Sequence, residues 1–118
     1  MKKTLTSVVL VLAAAPVWAR LNPPTIRVSA TETPSVIVSL HRGTPVQGEI
    51  FHHYKIYRRL RVAGGCGMDA DDVQATPKSS PWTDTYVFDY YHYAYEATEV
   101  ATDGSESAYS NCVMVIIP

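Results

Sequence analysis

The sequence lacks the features that mark several large classes of protein. Its 118 residues hold ten Lys and Arg against eleven Asp and Glu. Binding to phosphate backbones needs clustered basic side chains, so nucleic acid is not expected as a partner. Only one long apolar run is present, at the N-terminus, and we expect no membrane association of the mature form. No stretch repeats apolar residues with a 3.6-residue period, so essentially no helix is expected in the mature form.

Motifs that carry chemistry are also missing. There is no Gly-x-Ser-x-Gly nucleophile elbow and no glycine-rich phosphate loop. His52 and His53 are adjacent on an expected strand, where neighbours face opposite sides, so no metal site is predicted there. The acidic run 69–72 resembles the start of a calcium loop, but Gln74 and Ser80 stand where glycine and glutamate are needed. We expect a protein with no catalytic residue, metal or cofactor.

The N-terminal run has the organisation of an export signal. Lys2-Lys3 precedes the apolar stretch Leu5–Ala15, and Pro16–Ala19 places small residues at the −3 and −1 positions of a cleavage site. We predict a signal peptide at 1–19 and one secreted domain at 20–118, either periplasmic or extracellular. An uncleaved anchor is the alternative. Cleavage would leave a mature chain with eight basic and eleven acidic side chains, a net charge of about −3.

The sequence contains only two cysteines. An oxidising compartment would favour a disulfide between Cys66 and Cys112. Closing a loop of roughly 45 residues would stabilise the fold by about 3–4 kcal/mol. We predict an intrachain bridge, while the sequence leaves interchain pairing open.

Short apolar–polar alternations between turns rich in Gly and Pro predict an all-β domain of about seven strands. The expected strands are Thr25–Ala30, Ser35–His41, Glu49–Val62, Val73–Thr76, Trp82–Val87, Tyr91–Ala101 and Tyr109–Ile117. Short strands without helices form a sandwich or a barrel.

Several motifs point to one family. Tyr54–Arg58, Trp82–Asp84, Tyr93–Tyr95 and Asp103–Ser107 resemble, in order and spacing, a fibronectin type III domain, an immunoglobulin-like β-sandwich. The resemblance covers Pro24 to Ile117. It implies a non-catalytic module with a tyrosine corner, in which a tyrosine hydroxyl bonds to upstream backbone. Tyr93 is the expected corner residue and Tyr91 the alternative.

The sequence departs from the family pattern at two positions and in one insert. Leu40 stands where the family has a core tryptophan, and Glu99 stands where an alanine is usual. An inward-facing carboxylate needs a partner, for which His52 on the neighbouring strand is the candidate. A one-residue slip of the strand would instead expose Glu99. The insert Ala63–Ser80 is longer than the family needs.

The last strand is apolar on both faces, and only one face can point into a two-sheet core. Either the insert covers the other face, or a second chain pairs with this edge strand, or the face is ordinary exposed surface. Tyrosines at 57, 86, 90 and 109 are expected to face solvent, close to two arginines. The candidate interaction residues are Tyr57, Arg59, Arg61, Met114 and Ile116.

The leading functional hypothesis is a secreted, non-catalytic module that binds a protein or carbohydrate partner. The first alternative is a structural subunit of an extracellular fibre or multimer, self-associating through its last strand. The second is a small secreted protease inhibitor that presents Gly43–Gly48 or Thr102–Ser107 to a protease.

Overall fold

The regular elements of the described part of the chain are seven strands and one 3₁₀ turn. The computed structural model describes residues 20–60 and 65–118, so the predicted signal peptide and Arg61 lie outside it. The strands are β1 (Thr25–Thr31), β2 (Ser35–His41), β3 (Phe51–Leu60), β4 (Val73–Ala75), β5 (Trp82–Asp84), β6 (His92–Ala101) and β7 (Val113–Ile116), with the 3₁₀ turn at Ala70–Asp72. Within this part no helix is long and apolar enough to cross a membrane.

The strands form two antiparallel sheets packed face to face. One sheet has the order β1-β2-β5 and the other β4-β3-β6-β7. The prediction of an all-β sandwich of about seven strands is therefore confirmed. The core forms because alternate residues of each strand point inward. Its buried members are Ile26, Val36, Val38, Leu40, Tyr54, Ile56, Val87, Tyr93, Tyr95, Ala97 and Ile117.

β7 is much shorter than the sequence predicts. The segment before it follows β6, but serine hydroxyls supply part of the pairing. Ser107 Oγ accepts from the backbone N–H of Glu99, and Ser110 Oγ accepts from that of Ala97, each at 2.9 Å. These hydroxyls take the place of strand carbonyls, so regular pairing begins only at Val113.

A side-chain amide joins the edges of the two sheets. The N–H of Ile26 in β1 donates to Oδ1 of Asn111 at 2.9 Å, and Nδ2 of Asn111 donates to the carbonyl of Ile26 at 3.0 Å. Asn111 thus satisfies both outward backbone groups of Ile26, as a neighbouring strand would.

A disulfide links the insert to the residue before β7. The Cα atoms of Cys66 and Cys112 lie 6.0 Å apart, and the bridge is intrachain. The insert nevertheless leaves Met114 and Ile116 exposed, while Val113 and Val115 pack against the core. The interpretation that the insert covers the outer face of the last strand is therefore wrong for these two side chains.

Candidate binding surfaces

Glu99 faces the interior, as the inward alternative required, but its partner is not His52. The carboxylate is fully buried, accepting from Arg42 Nε at 2.9 Å and from the Gly43 N–H at 2.6 Å. Glycine is needed at position 43 because a Cβ there would lie 2.5 Å from the carbonyl oxygen of Pro23. Both partners of Glu99 come from the loop after β2, which local strand pairing does not reveal.

A second buried carboxylate organises the opposite end of the sandwich. Asp84 Oδ2 accepts from Arg58 Nη1 and from the hydroxyl of Tyr95, each at 2.8 Å, while Oδ1 accepts from the Tyr86 N–H. Burial and the hydrogen bond to Asp84 raise the pKa of Tyr95. The sequence analysis missed this network. Strand alternation places Arg58 on the inner face with Ile56, and that signal was available.

Tyr93 has the contact expected of a tyrosine corner. Its buried hydroxyl accepts a hydrogen bond from the backbone N–H of Phe88, five residues upstream, at 3.1 Å. The guanidinium of Arg58 lies 5.1 Å from the centre of its ring. Tyr91, the alternative, instead stacks on Tyr93 with the ring centres 6.2 Å apart.

The two histidines converge, contrary to the prediction. The pairing between β3 and β6 shifts register between Phe51 and His53, and the Nδ1 atoms of His52 and His53 lie 2.8 Å apart. A bulge breaks the alternation on which the prediction rested. Burial and the charge of His52 lower the pKa of His53.

The carboxylates of the acidic run 69–72 accept hydrogen bonds from the backbone of the same run. Asp69 Oδ1 accepts from the Asp71 N–H, and Asp72 Oδ2 accepts from the Asp69 N–H, each at 2.9 Å, so the run caps the 3₁₀ turn. In the described part of the chain, one cluster has metal-ligand spacing, Cys66, Glu96 and Cys112, and its two sulfurs are bonded to each other.

A groove of about 390 Å³ opens on the outer face of the four-stranded sheet. We call it the outer-face groove. Strands β3 and β6, the segment before β7 and the start of the described chain contribute its walls. Its polar and aromatic lining residues are Arg20, Lys55, Tyr57, Thr98, Glu106, Ser107 and Tyr109.

Glu106 lies at the centre of this groove. Its Oε2 accepts from the hydroxyls of Tyr57 and Thr98, the latter at 2.7 Å, and its Oε1 accepts from Lys55 Nζ at 3.4 Å. Burial alone would raise the pKa of Glu106. The hydrogen bonds from Tyr57 and Thr98 and the charge of Lys55 outweigh it, and the pKa lies below its usual value.

The candidate interaction residues of the outer face have different environments. Tyr57 is buried, so the prediction that it faces solvent is wrong; Tyr109 packs on it edge-on with ring centres 5.0 Å apart. Burial and the Glu106 hydrogen bond raise the pKa of Tyr57. Arg59 is engaged by the insert, donating to the carbonyl of Gly67 at 2.6 Å. Arg61 lies outside the described residues.

Large apolar side chains gather at one end of the sandwich, a surface that we call the end patch. Its members, between 47% and 82% exposed, are Leu60, Tyr86, Phe88, Tyr90, Tyr91 and Ile116. Adjacent rings touch: Tyr86 and Phe88 are 5.7 Å apart, and Phe88 and Tyr91 are 5.6 Å apart. The Tyr90 N–H donates to the carbonyl of Ile117 at 2.8 Å, which brings this turn to the end of β7. Of these residues, the sequence analysis named Tyr86, Tyr90 and Ile116 as surface candidates and Tyr91 as the alternative corner residue, but not their grouping.

Solved structures share this architecture. An Fn3-like protein from Clostridium thermocellum superposes with a TM-score of 0.61 at 20% identity, covering 83% of this chain and 94% of that one. The chain has the fibronectin type III fold. Leu40 is buried in the core, and the resemblance seen in the sequence is confirmed.

The fibronectin type III fold of this chain also matches parts of larger proteins. The twitchin kinase region from C. elegans matches with a TM-score of 0.69 at 18% identity, over 84% of this chain and 17% of that one. A β-1,2-glucanase from Parabacteroides distasonis matches with a TM-score of 0.62 at 22% identity, over 85% of this chain and 13% of that one. No protein-family model and no curated protein sequence matches the chain.

Proposed function

We propose that the chain is an exported, non-catalytic fibronectin type III module that binds carbohydrate in the outer-face groove. The observation that carries the proposal is that several groove groups keep hydrogen-bonding capacity among the described residues, beside an aromatic wall. Lys55 donates one of its three N–H groups to the carboxylate of Glu106, and Arg20 donates one N–H group to the backbone carbonyl of the same residue. Oε1 of Glu106 accepts one hydrogen bond, so it keeps a free lone pair.

Sugar hydroxyls suit this mixture of donors and acceptors because each hydroxyl both donates and accepts. The half-exposed ring of Tyr109 supplies an apolar wall against which the C–H face of a sugar ring packs. The volume is in the range of small-ligand sites, which combine aromatic walls with a few fixed polar groups. The groove therefore fits a short stretch of a polyhydroxylated chain.

The groove lacks what glycoside hydrolysis requires. Two carboxyl groups must flank the scissile bond, one of them protonated to act as the acid. Glu106 is the one carboxylate among the groove-lining residues of the described chain, and its lowered pKa keeps it ionised. Binding without cleavage is the activity that these residues support.

Two further observations support the proposal. The Cys66–Cys112 disulfide fits an oxidising, exported location. The fold also occurs as a part of a β-1,2-glucanase, so a chain named for acting on a polysaccharide carries a similar module. A protein partner is the second candidate, favoured by the aromatic end patch.

The test is affinity electrophoresis of the exported protein in gels containing β-1,2-glucan or a panel of other neutral and acidic polysaccharides. We expect retardation in at least one gel. Lys55→Met and Tyr109→Ala should each raise the dissociation constant about tenfold, which is the effect of losing one good hydrogen bond or stacking contact. Lys78→Met, which removes an exposed lysine outside the groove, is the matched control and should migrate as the unaltered protein does. No retardation in any gel, or equal retardation of all three variants, would overturn the proposal.

A further inference from the structure

We infer that the end patch is an interface through which two copies of this chain associate about a two-fold axis. This goes beyond carbohydrate binding and uses a different part of the surface. The six members of the patch are uncharged, and the fold leaves each of them about half exposed or more.

The size of the end patch is that of an interface. From the exposed fractions and about 150–250 Å² for an aromatic side chain, the patch presents roughly 700 Å² of apolar surface. The largest apolar patch on a typical monomer covers about 300–600 Å². Each partner in a stable complex contributes about 800 Å², so two facing patches have about the area that a specific dimer buries.

Tyr90 provides an independent observation. Its φ is +67°, a left-handed conformation that favours glycine, and the turn is fixed there because the N–H of Tyr91 donates to the carbonyl of Phe88 at 3.2 Å. The Tyr90 ring is the most exposed in the patch. The fold thus accepts backbone strain for a ring that packs little within the single chain, whereas an interface would bury it.

Charge disfavours an acidic partner. Among the described residues, Arg58 lies 5.9 Å from the ring of Tyr86 and is neutralised by Asp84 at 2.8 Å, whereas Asp89, the residue before Tyr90, is exposed. The six patch side chains are uncharged, so two facing patches associate through apolar burial, whereas a strongly acidic partner would meet the like charge of Asp89. Because the patch occupies one end only, its self-association closes at a dimer and does not extend into a fibre.

The experiment is sedimentation equilibrium of the protein purified after export through its own leader, from micromolar to millimolar concentration, with and without reductant. The unaltered protein should reach twice the mass of one chain. Tyr90→Gly should weaken the dimer at least tenfold without lowering the melting temperature, because glycine suits the backbone at this position. Tyr86→Ser should weaken it likewise. Ile50→Ser is the control, since Ile50 is as exposed but lies next to Thr102, away from the patch.

Three results would overturn the inference. The protein could remain a monomer to millimolar concentration. This result would overturn the inference even if a patch variant lost binding to a different protein. The dimer could be as strong in Tyr90→Gly and Tyr86→Ser as in the unaltered protein. The dimer could also dissolve on reduction alone, which would assign it to an interchain disulfide. None of these results bears on polysaccharide binding, so the two proposals fail separately.

Discussion

At the residue scale, two acidic side chains lie inside the sandwich, and each has an arginine beside it. Glu99 is buried but its partner Arg42 is partly exposed, whereas Asp84 and Arg58 are both largely removed from water. A carboxylate is tolerated in such a place only when charge and hydrogen bonds replace its hydration. Tyr95 and the Tyr86 N–H complete that replacement for Asp84.

Asp84→Asn tests the weight of this network. The change keeps the side-chain shape but leaves the buried Arg58 without its counter-charge, so the free energy of unfolding should fall by about 3 kcal/mol. Urea denaturation measures the fall. Asp71→Asn, at an exposed aspartate of the 3₁₀ turn, should change it by less than about 0.5 kcal/mol. Equal effects of the two changes would mean that the buried pair contributes nothing specific.

The sequence predicted part of this residue-level picture. The family resemblance placed Tyr93 at the corner position, and strand alternation gave the inward position of Glu99 as one of two possible registers. Alternation could not identify Arg42 and Gly43 as the partners of Glu99, because they lie 57 and 56 residues away in the chain, on the far side of a loop. The convergence of His52 and His53 was equally hidden, since a bulge has no reliable signature in these residues.

At the element scale, the outer-face groove joins β3, β6 and the segment before β7 through Glu106. This carboxylate has a folded-state pKa below its ordinary value of 4.5. The stabilisation from a lowered carboxyl pKa is fully present above the unfolded pKa and is lost as the pH falls through the folded one. The protein should therefore lose stability as the pH is lowered below about 4.5.

Glu106→Gln should make that loss shallower, because the substituted side chain does not titrate. Chemical denaturation at a series of pH values from neutrality into the acid range measures the slope. Glu32→Gln, in the exposed turn between β1 and β2, is the matched control and should keep the slope of the unaltered protein. An unchanged slope in Glu106→Gln would show that the groove network does not couple to folding.

The elements themselves were largely predictable. Apolar alternation and turn residues located all seven strands, with β2 predicted to the residue. The ends of β5 and β7 were predicted too long. Asp84 ends β5 by turning its carboxylate to the Tyr86 N–H, and Ser107 and Ser110 delay β7 by hydrogen bonding to β6. Composition does not show where a side chain replaces a strand carbonyl.

At the scale of the whole molecule, the disulfide acts mainly on the unfolded chain. The bridge closes a loop with a sequence separation of 46 residues. Removing it in the double variant Cys66→Ser/Cys112→Ser should lower the free energy of unfolding by about 3–4 kcal/mol, by restoring the loop entropy of the unfolded ensemble. Guanidinium denaturation measures this. Reducing the unaltered protein is the control and should reproduce the loss; an undiminished stability in both would contradict the role assigned to the bridge.

The whole-molecule organisation shows why surfaces were harder to predict than the fold. The two-sheet architecture follows from local patterns. The end patch assembles from the ends of β3 and β7 and the turn before β6, which are up to 56 residues apart in sequence. The groove likewise depends on Arg20 reaching residue 106. Such groupings exist only after folding.

Asn111, which joins the edges of the two sheets, is a site of chemical ageing. An asparagine amide hydrolyses spontaneously with age and heat, leaving an aspartate. The new carboxylate could still accept the hydrogen bond from the Ile26 N–H, but it would have no hydrogen to give to the Ile26 carbonyl and would repel it. Deamidation of this one side chain would thus remove one of the two hydrogen bonds between Asn111 and Ile26, while the pairing between strands stayed intact.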